Sequence, residues 1–134
     1  MSSYNIGLQA YKEQAINTMT SGEMLILLYD EIVKRLKKAE LLAKNGDYEN
    51  FEAEVKHTQE IVTYLNAALD RKYDISKNLA QLYDFFNYQM IRLVAGRNLA
   101  LIGELIPLVE DLREAYREAD KLSKANVSMR SFDG

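Results

Sequence analysis

The sequence has no cysteine and a single histidine, and these two scarcities exclude most catalytic and metal-binding chemistry. Without cysteine, neither a disulfide framework nor a thiolate metal site is available. A di-iron site in a helical bundle needs two Glu-x-x-His pairs and two further glutamates, whereas this chain has one such pair, Glu54 and His57. A Ser-His-Asp arrangement would depend on the same histidine, and no glycine-rich phosphate loop is present. We therefore predict a protein that is not an enzyme and that uses no metal, cofactor or small-molecule substrate.

A strong net charge and long apolar runs are also missing. The formal net charge is −3, and the one basic run, Lys34–Lys38, is flanked by Glu31 and Glu40. The sequence thus offers no clustered basic face to hold nucleic acid. No run approaches the roughly 20 apolar residues that cross a bilayer, and the first residues do not have the pattern of a secretory signal. The 134 residues are 48% hydrophobic and 28% charged, so we expect one globular domain in the cytoplasm that binds neither nucleic acid nor membrane.

Proline and glycine are scarce, with 1 and 6 residues, so the chain should be mostly helical. Four segments carry apolar residues at alternating spacings of three and four, which is typical of amphipathic helices. The first runs from a capping box, Thr20 and Glu23, to about Lys44, and Gly46 favours a left-handed stop. The second begins near Asp47. The predicted core positions of these two helices are Leu25, Leu28, Ile32, Leu36, Ala39 and Ala43, then Tyr48, Phe51, Val55, Thr58, Val62, Leu65 and Leu69.

The second half of the sequence predicts two further helices. The third follows a polar connection at 70–74 and ends at Gly96, and the fourth starts near Asn98. Pro107 lies inside the fourth, where it removes one hydrogen bond and crowds the carbonyl of Gly103. We predict a bend there rather than a break. The predicted core positions are Ile75, Leu79, Leu82, Phe86, Met90 and Leu93, then Ile102, Leu105, Val109, Leu112, Tyr116 and Ala119.

The short connections make consecutive helices antiparallel. The predicted fold class is therefore all-α, an antiparallel up-down four-helix bundle with a short N-terminal capping segment. Residues 1–19 would form that capping segment, because they are too apolar for a free tail. Residues 20–122 would form the bundle, and the polar residues 123–134 a mobile C-terminal tail.

The third helix is apolar on the side opposite its predicted core. Phe85, Tyr88 and Ile91 lie there, where a helix that serves only a bundle core should be polar. Further apolar side chains lie beside the core stripes of the first and second helices. Exposed apolar patches that contain aromatic residues are typical of protein-binding surfaces. We predict a partner-binding surface formed by Ile26, Val33, Ile61, Tyr64, Tyr83, Phe85, Tyr88 and Ile91.

Three explanations of these leftover faces stay open from the residues alone. Wide stripes that pack against two neighbouring helices would account for Tyr29, Tyr83 and Val94. The side chains opposite the core require a cover, which could be an amphipathic helix of a partner protein. It could equally be a second copy of the chain, in which case the protein is a structural or regulatory bundle that forms a homodimer or larger oligomer.

Three segments together resemble the FliS family of flagellin-specific export chaperones. They are residues 10–14 (Ala-Tyr-Lys-Glu-Gln), 22–30 (Gly-Glu-Met-Leu-Ile-Leu-Leu-Tyr-Asp) and 75–85 (Ile-Ser-Lys-Asn-Leu-Ala-Gln-Leu-Tyr-Asp-Phe). The resemblance spans roughly residues 4–120 with the segments in the family's order and spacing. The chain departs from the family pattern at three positions: Ser21, where proline is usual, Glu31, where glycine is usual, and the unusual Pro107.

The resemblance implies a small cytosolic bundle that binds the C-terminal segment of flagellin and stops it from polymerising. It also implies delivery to the flagellar type III export apparatus, so that the export gate would be a second partner. The flagellin segment would wrap along the outside of the bundle, largely as helices in apolar grooves. The N-terminal segment would cover part of that surface until flagellin displaces it, which lowers the apparent affinity by the fraction of time it is closed. The residues of this displaceable cap would be Tyr4, Ile6, Leu8 and Tyr11.

Overall fold

A computed structural model describes residues 21–133, with side chains described at 22–122 and 124. This part of the chain consists of four α-helices and contains no β-strand. The prediction of an all-α helical bundle is confirmed. The helices are α1 (Ser21–Lys44), α2 (Tyr48–Ala67), α3 (Ile75–Gly96) and α4 (Ala100–Asp133).

The turn between α1 and α2 has the geometry that its sequence predicts. Gly46 has φ +80°, its amide donates to the carbonyl of Ala43 (3.0 Å), and the Asp47 amide donates to Leu42 (2.9 Å). These two bonds satisfy carbonyls that the end of a helix leaves free. The Asp47 carboxylate then accepts the Asn50 amide at 3.3 Å and so caps α2. Thr20, the first residue of the predicted capping box of α1, lies outside the described residues.

α3 ends at Gly96, as the sequence predicts. The residue that follows, Arg97, has a left-handed conformation with φ +50°. This conformation costs a non-glycine residue about 1–2 kcal/mol. The Arg97 guanidinium lies 3.7 Å from the centre of the Tyr48 ring, at the start of α2. This cation–π contact offsets part of the cost and ties the α3–α4 turn to the same end of the bundle.

α4 is longer than the sequence predicts. It continues through Pro107 without a break, as expected, while the bend there stays a prediction. It extends to Asp133 rather than ending near residue 122. The polar composition of residues 123–134 therefore does not end the helix. Their predicted mobility stays a prediction, as does the division of the chain into three segments.

α1 is the best-packed helix, because it lies between α2 and α4 and packs closely against both. Its ion pairs with α4 fix an antiparallel register: Asp30 to Arg113 at 2.7 Å and Glu23 to Lys124 at 2.8 Å. α2 also packs on α3, whereas α3 and α4 make the fewest contacts of the neighbouring pairs. The core between them is formed by Tyr29, Ile32, Leu36, Phe51, Val55, Val62, Leu65, Tyr83, Phe86, Met90, Leu93, Ile102, Leu105 and Val109.

The buried stripe of α3 is rotated slightly from the predicted one. It contains Ser76 and Tyr83, whereas Ile75 is 60% exposed and Leu82 only half-buried. Ile75 is the first residue of α3, and helical side chains lean towards the N-terminus, so it leans past the end of the helix. Tyr83 is buried because its hydroxyl meets the Tyr29 hydroxyl at 2.6 Å in the centre of the bundle.

Candidate partner-binding surface

Phe85, Tyr88 and Ile91 form an exposed apolar surface on α3, which we call the α3 patch. They are 43%, 60% and 59% exposed, as the sequence predicts. Side chains of this size usually contribute to a core or to an interface. Their role in binding stays a prediction, but their position leaves them free to make contacts.

The α3 patch is held on a rigid helix and spans both flanks of it. Asp84 and Asn87 mark the flank that faces α2, because they pair with Asn66 (3.2 Å) and Thr63 (3.4 Å). At 100° per residue, Phe85 lies on the opposite flank, towards α4. Its ring also packs on that of Phe86, with centroids 6.3 Å apart. A partner would thus meet a surface that is already ordered.

Ile61 and Tyr64 belong to a second surface, in a cleft between α1 and α2. The cleft measures about 310 Å³ and is lined by Leu28, Arg35, His57, Glu60, Ile61 and Tyr64. Tyr64 is 50% exposed and Ile61 half-buried. Leu28 completes an apolar floor beside charged and polar side chains, which is a common composition for a docking cleft.

Three residues that we expected on an outer face lie elsewhere. Tyr83 and Val33 are 1% and 4% exposed, so both belong to the core and cannot meet a partner. Val33 is buried because α1 packs on two neighbours and needs a wide apolar sector. Ile26 is half-buried and lies one helical turn after Gly22 and one turn before Asp30. On α4, Asp120 is the neighbour of Gly22 and Arg113 is the neighbour of Asp30. It therefore lies on the α4 side of α1, away from both surfaces.

Two exposed apolar residues on the outer side of α4 were not predicted from the sequence. Leu108 and Leu122 are 38% and 64% exposed. With the buried Leu101 and with Ala115 they recur every seven residues along α4. A repeat of seven is the signal of a second helix-packing stripe, and it is readable in the sequence once the core stripe has been assigned.

The displaceable cap, Tyr4, Ile6, Leu8 and Tyr11, lies outside the described residues. Between residues 21 and 133, no helix has the length and hydropathy of a membrane span. Over the same residues, no group of three histidine or carboxylate side chains is placed to hold a metal ion.

Two sequence comparisons point to one family, and a solved structure shares the fold. The family model described as flagellar protein FliS matches residues 4–123. A relative named flagellar secretion chaperone FliS, from Bacillus subtilis strain 168, is 26% identical over 110 residues, which cover 82% of this chain and 83% of the relative. A crystal structure described as a flagellar chaperone from bacteria superposes with a TM-score of 0.73 at 21% identity, and covers 86% of this chain and 98% of its own.

Proposed function

The chain belongs to the FliS family of flagellar secretion chaperones, and from this membership we propose that it binds the C-terminal segment of flagellin in the cytosol. Binding keeps flagellin from polymerising and delivers it to the flagellar type III export apparatus, where the export gate would be a second partner. The family is one of chaperones and not of enzymes, so the prediction of a non-enzymatic protein is confirmed.

The observation that carries the proposal is the exposure of the α3 patch. Phe85, Tyr88 and Ile91 lie at intervals of three along one rigid helix, and about half of each side chain is in contact with solvent. Covering such side chains with apolar groups is favourable by roughly 25 cal/mol per Å². An amphipathic partner helix buries apolar residues at the same spacing, so it suits this surface.

The α1/α2 cleft supports a partner segment that is longer than one helix. Ile61 and Tyr64 line the cleft on one side of the bundle, and the α3 patch lies beyond α2. A flagellin segment that contacts both surfaces must wrap around the outside of the bundle. An extended segment that folds on binding suits such a path, because it covers a large surface in separate pieces.

The N-terminal segment would regulate access to these surfaces. Tyr4, Ile6, Leu8 and Tyr11 provide apolar groups that compete with flagellin for the same positions. Deleting residues 1–12 should leave flagellin binding unchanged or make it tighter, because competition is removed. Calorimetry with purified flagellin measures this directly. A large loss of affinity would mean that the segment contacts flagellin instead of competing with it.

The α3 patch is tested by Phe85→Asp and Ile91→Asp. Each change places a charge where apolar contact is proposed, so the flagellin complex should be lost in size-exclusion chromatography and calorimetry. Because the side chains are exposed, the free energy of unfolding measured in urea should change by less than about 0.5 kcal/mol. Ala53→Asp introduces the same charge at an exposed position of α2 and should bind like the parent chain.

Two outcomes would contradict the proposal in different ways. If the unmodified chain binds no flagellin at tens of micromolar concentration, the chaperone function is wrong. If it then forms a dimer that Ile91→Asp dissociates, the α3 patch is a self-association surface. If Phe85→Asp or Ile91→Asp unfolds the protein, the patch contributes to the fold and our assignment of that face is wrong.

A further inference from the structure

The two halves of the bundle match at a displacement of 54 residues. The α1–α2 hairpin and the α3–α4 hairpin share six pairs of buried positions at this displacement, and the paired hydroxyls of Tyr29 and Tyr83 meet at the centre. The two hairpins can therefore be compared position by position. The matching buried pairs are Tyr29 and Tyr83, Ile32 and Phe86, Leu36 and Met90, Ala39 and Leu93, Phe51 and Leu105, and Val55 and Val109.

The seam between α1 and α2 is closed by ion pairs. Glu54 on α2 lies 3.1 Å from the Arg35 guanidinium and 3.3 Å from the Lys38 ammonium group, both on α1. Arg35 also pairs with Glu31 at 3.6 Å. The Glu54 side chain is only 13% exposed, so these charges cross-link the two helices over a partly buried seam.

The matching seam between α3 and α4 lacks this cross-link. At the displacement of 54 residues, Phe85 replaces Glu31, Gln89 replaces Arg35, Arg92 replaces Lys38 and Leu108 replaces Glu54. Arg92 turns instead to its own helix, where it donates to Gln89 at 2.8 Å and lies 6.0 Å from the centre of the Tyr88 ring.

Apolar side chains therefore stand at the α3/α4 seam where the other seam has ion pairs, and we call the surface around Phe85 on α3 and Leu108 on α4 the α3/α4 groove. The two helices make the fewest contacts of the neighbouring pairs. Phe85 remains 43% exposed and Leu108 38% exposed, although each lies on the flank of its helix that faces the other. Leu122 continues the apolar row along α4 and is 64% exposed.

The edge of this groove is acidic on the α4 side. Glu104, Asp111 and Glu118 recur every seven residues, which places them about 10.5 Å apart along one line of the helix. Among the described side chains, none of the three has an ion-pair partner, and all three are exposed. The carboxylates on the α1 side of α4 are instead paired with arginine or lysine: Glu110, Glu114 and Asp120.

We infer that the α3/α4 groove holds an amphipathic helix of flagellin whose apolar stripe covers Phe85 and Leu108 and whose edge towards α4 is basic. The inference rests on the proposed function and assigns to it a location and a partner chemistry. The apolar stripe of the flagellin helix fills the open α3/α4 seam. The matching α1/α2 seam is instead closed by ion pairs. A basic edge faces the unpaired row of carboxylates, and such complementary charge favours encounter and fixes the register of the docked helix.

The acidic row is tested by Glu104→Gln together with Asp111→Asn in the full-length chain. Calorimetry with purified flagellin of the source bacterium should show binding weakened roughly threefold to tenfold at about 50 mM salt. The difference should shrink at about 300 mM salt, where exposed charges are screened. The matched control, Glu49→Gln with Glu52→Gln, removes the same charge from exposed positions of α2 and should leave binding unchanged.

The apolar groove is tested by Leu108→Glu, which introduces the carboxylate that Glu54 provides in the other seam. Arg92, the counterpart of Lys38, is exposed and would exchange its contact with Gln89 for the new carboxylate. We expect the variant to unfold cooperatively in urea and to bind flagellin at least tenfold more weakly. If it fails to fold, the Glu104 and Asp111 neutralisation, which changes no apolar side chain, still decides the inference.

The outcomes separate this inference from the proposed function. If Ile91→Asp abolishes flagellin binding but the groove and acidic-row variants bind normally, the chaperone function stands and the groove assignment is wrong. If the unmodified chain binds no flagellin, both fail. If Leu108→Glu instead dissociates a dimer of the chain, a second copy occupies the groove and the inference is overturned.

Discussion

At the scale of single residues, the least expected feature is a polar contact in the centre of an apolar core. The hydroxyls of Tyr29 and Tyr83 lie 2.6 Å apart, and both side chains are at most 1% exposed. The Tyr116 ring packs on that of Tyr29, with centroids 5.6 Å apart. A buried hydroxyl without a partner costs about 1–3 kcal/mol. The two tyrosines therefore depend on each other, and the pair connects α1 to α3 across the bundle.

This dependence predicts a non-additive pair of substitutions. Tyr83→Phe and Tyr29→Phe should each lower the free energy of unfolding by about 1–2 kcal/mol, because each removes a hydrogen-bond partner from the other buried hydroxyl. The double variant should lose less than the sum of the two, since no orphaned hydroxyl of the pair then remains. Urea unfolding at neutral pH measures all three. Strict additivity would show that the hydroxyl contact contributes nothing to stability.

The same pair shows where sequence reasoning about α3 fails and where it succeeds. Leu82 and Tyr83 are adjacent, and hydropathy favours the leucine for the core. The partner that makes Tyr83 suitable for burial lies 54 residues away on α1, so no local pattern reveals it. The exposure of Tyr88 and Ile91 was predictable because they lie far from the core side of α3, whether Leu82 or Tyr83 is placed in the core. Val33 was misplaced because α1 packs on two helices, which its own sequence pattern does not reveal.

At the scale of helices, α4 contains the most clearly destabilising residue. Pro107 lies inside the helix, where its missing amide and its ring would cost roughly 3 kcal/mol in an ideal helix. Pro107→Ala should raise the free energy of unfolding by about 1–3 kcal/mol. Gly103→Ala should add about 0.5–1 kcal/mol, because a Cβ there meets nothing within 4 Å. Urea unfolding of both variants is the measurement.

A second glycine, in the turn that follows α1, provides the control for that prediction. Gly46→Ala should destabilise the protein, because φ is +80° there although nothing lies within 4 Å of an added Cβ. The three substitutions thus separate backbone conformation from available space. If Pro107→Ala lowered stability, the proline would be supporting a local geometry that α4 needs for its packing.

The ends of the helices were predictable only where the signal is local. Gly46 and Asp47 act through their own backbone and side-chain geometry, so the sequence specifies the α1–α2 turn. The left-handed Arg97 is stabilised by stacking on Tyr48, which is distant in sequence. The extension of α4 beyond residue 122 was missed because polar residues reduce periodicity without preventing a helix.

At the scale of the whole molecule, the bundle is held together unevenly. Ion pairs close the α1/α2 seam and link α1 to α4, whereas the α3/α4 seam leaves apolar side chains in solvent. The amphipathic pattern predicted four helices and an antiparallel order, because short connections permit little else. It could not predict which seam stays open. That depends on the pairing of residues such as Glu54 and Arg35 on different helices.

The buried tyrosines make the whole bundle sensitive to alkali. Burial is the main cause that raises the pKa of Tyr29, Tyr83 and Tyr116 above the ordinary value near 10. Above pH 10 the unfolded chain releases these protons and the folded chain keeps them, so stability is complete below that pH and falls above it. Each tyrosine contributes a slope of up to about 1.4 kcal/mol per pH unit. Urea midpoints between pH 8 and 12 should show this decline, and Tyr29→Phe with Tyr83→Phe should flatten it. Tyr88→Phe, at an exposed position, should keep the parent slope; an equal flattening there would refute the assignment to the buried cluster.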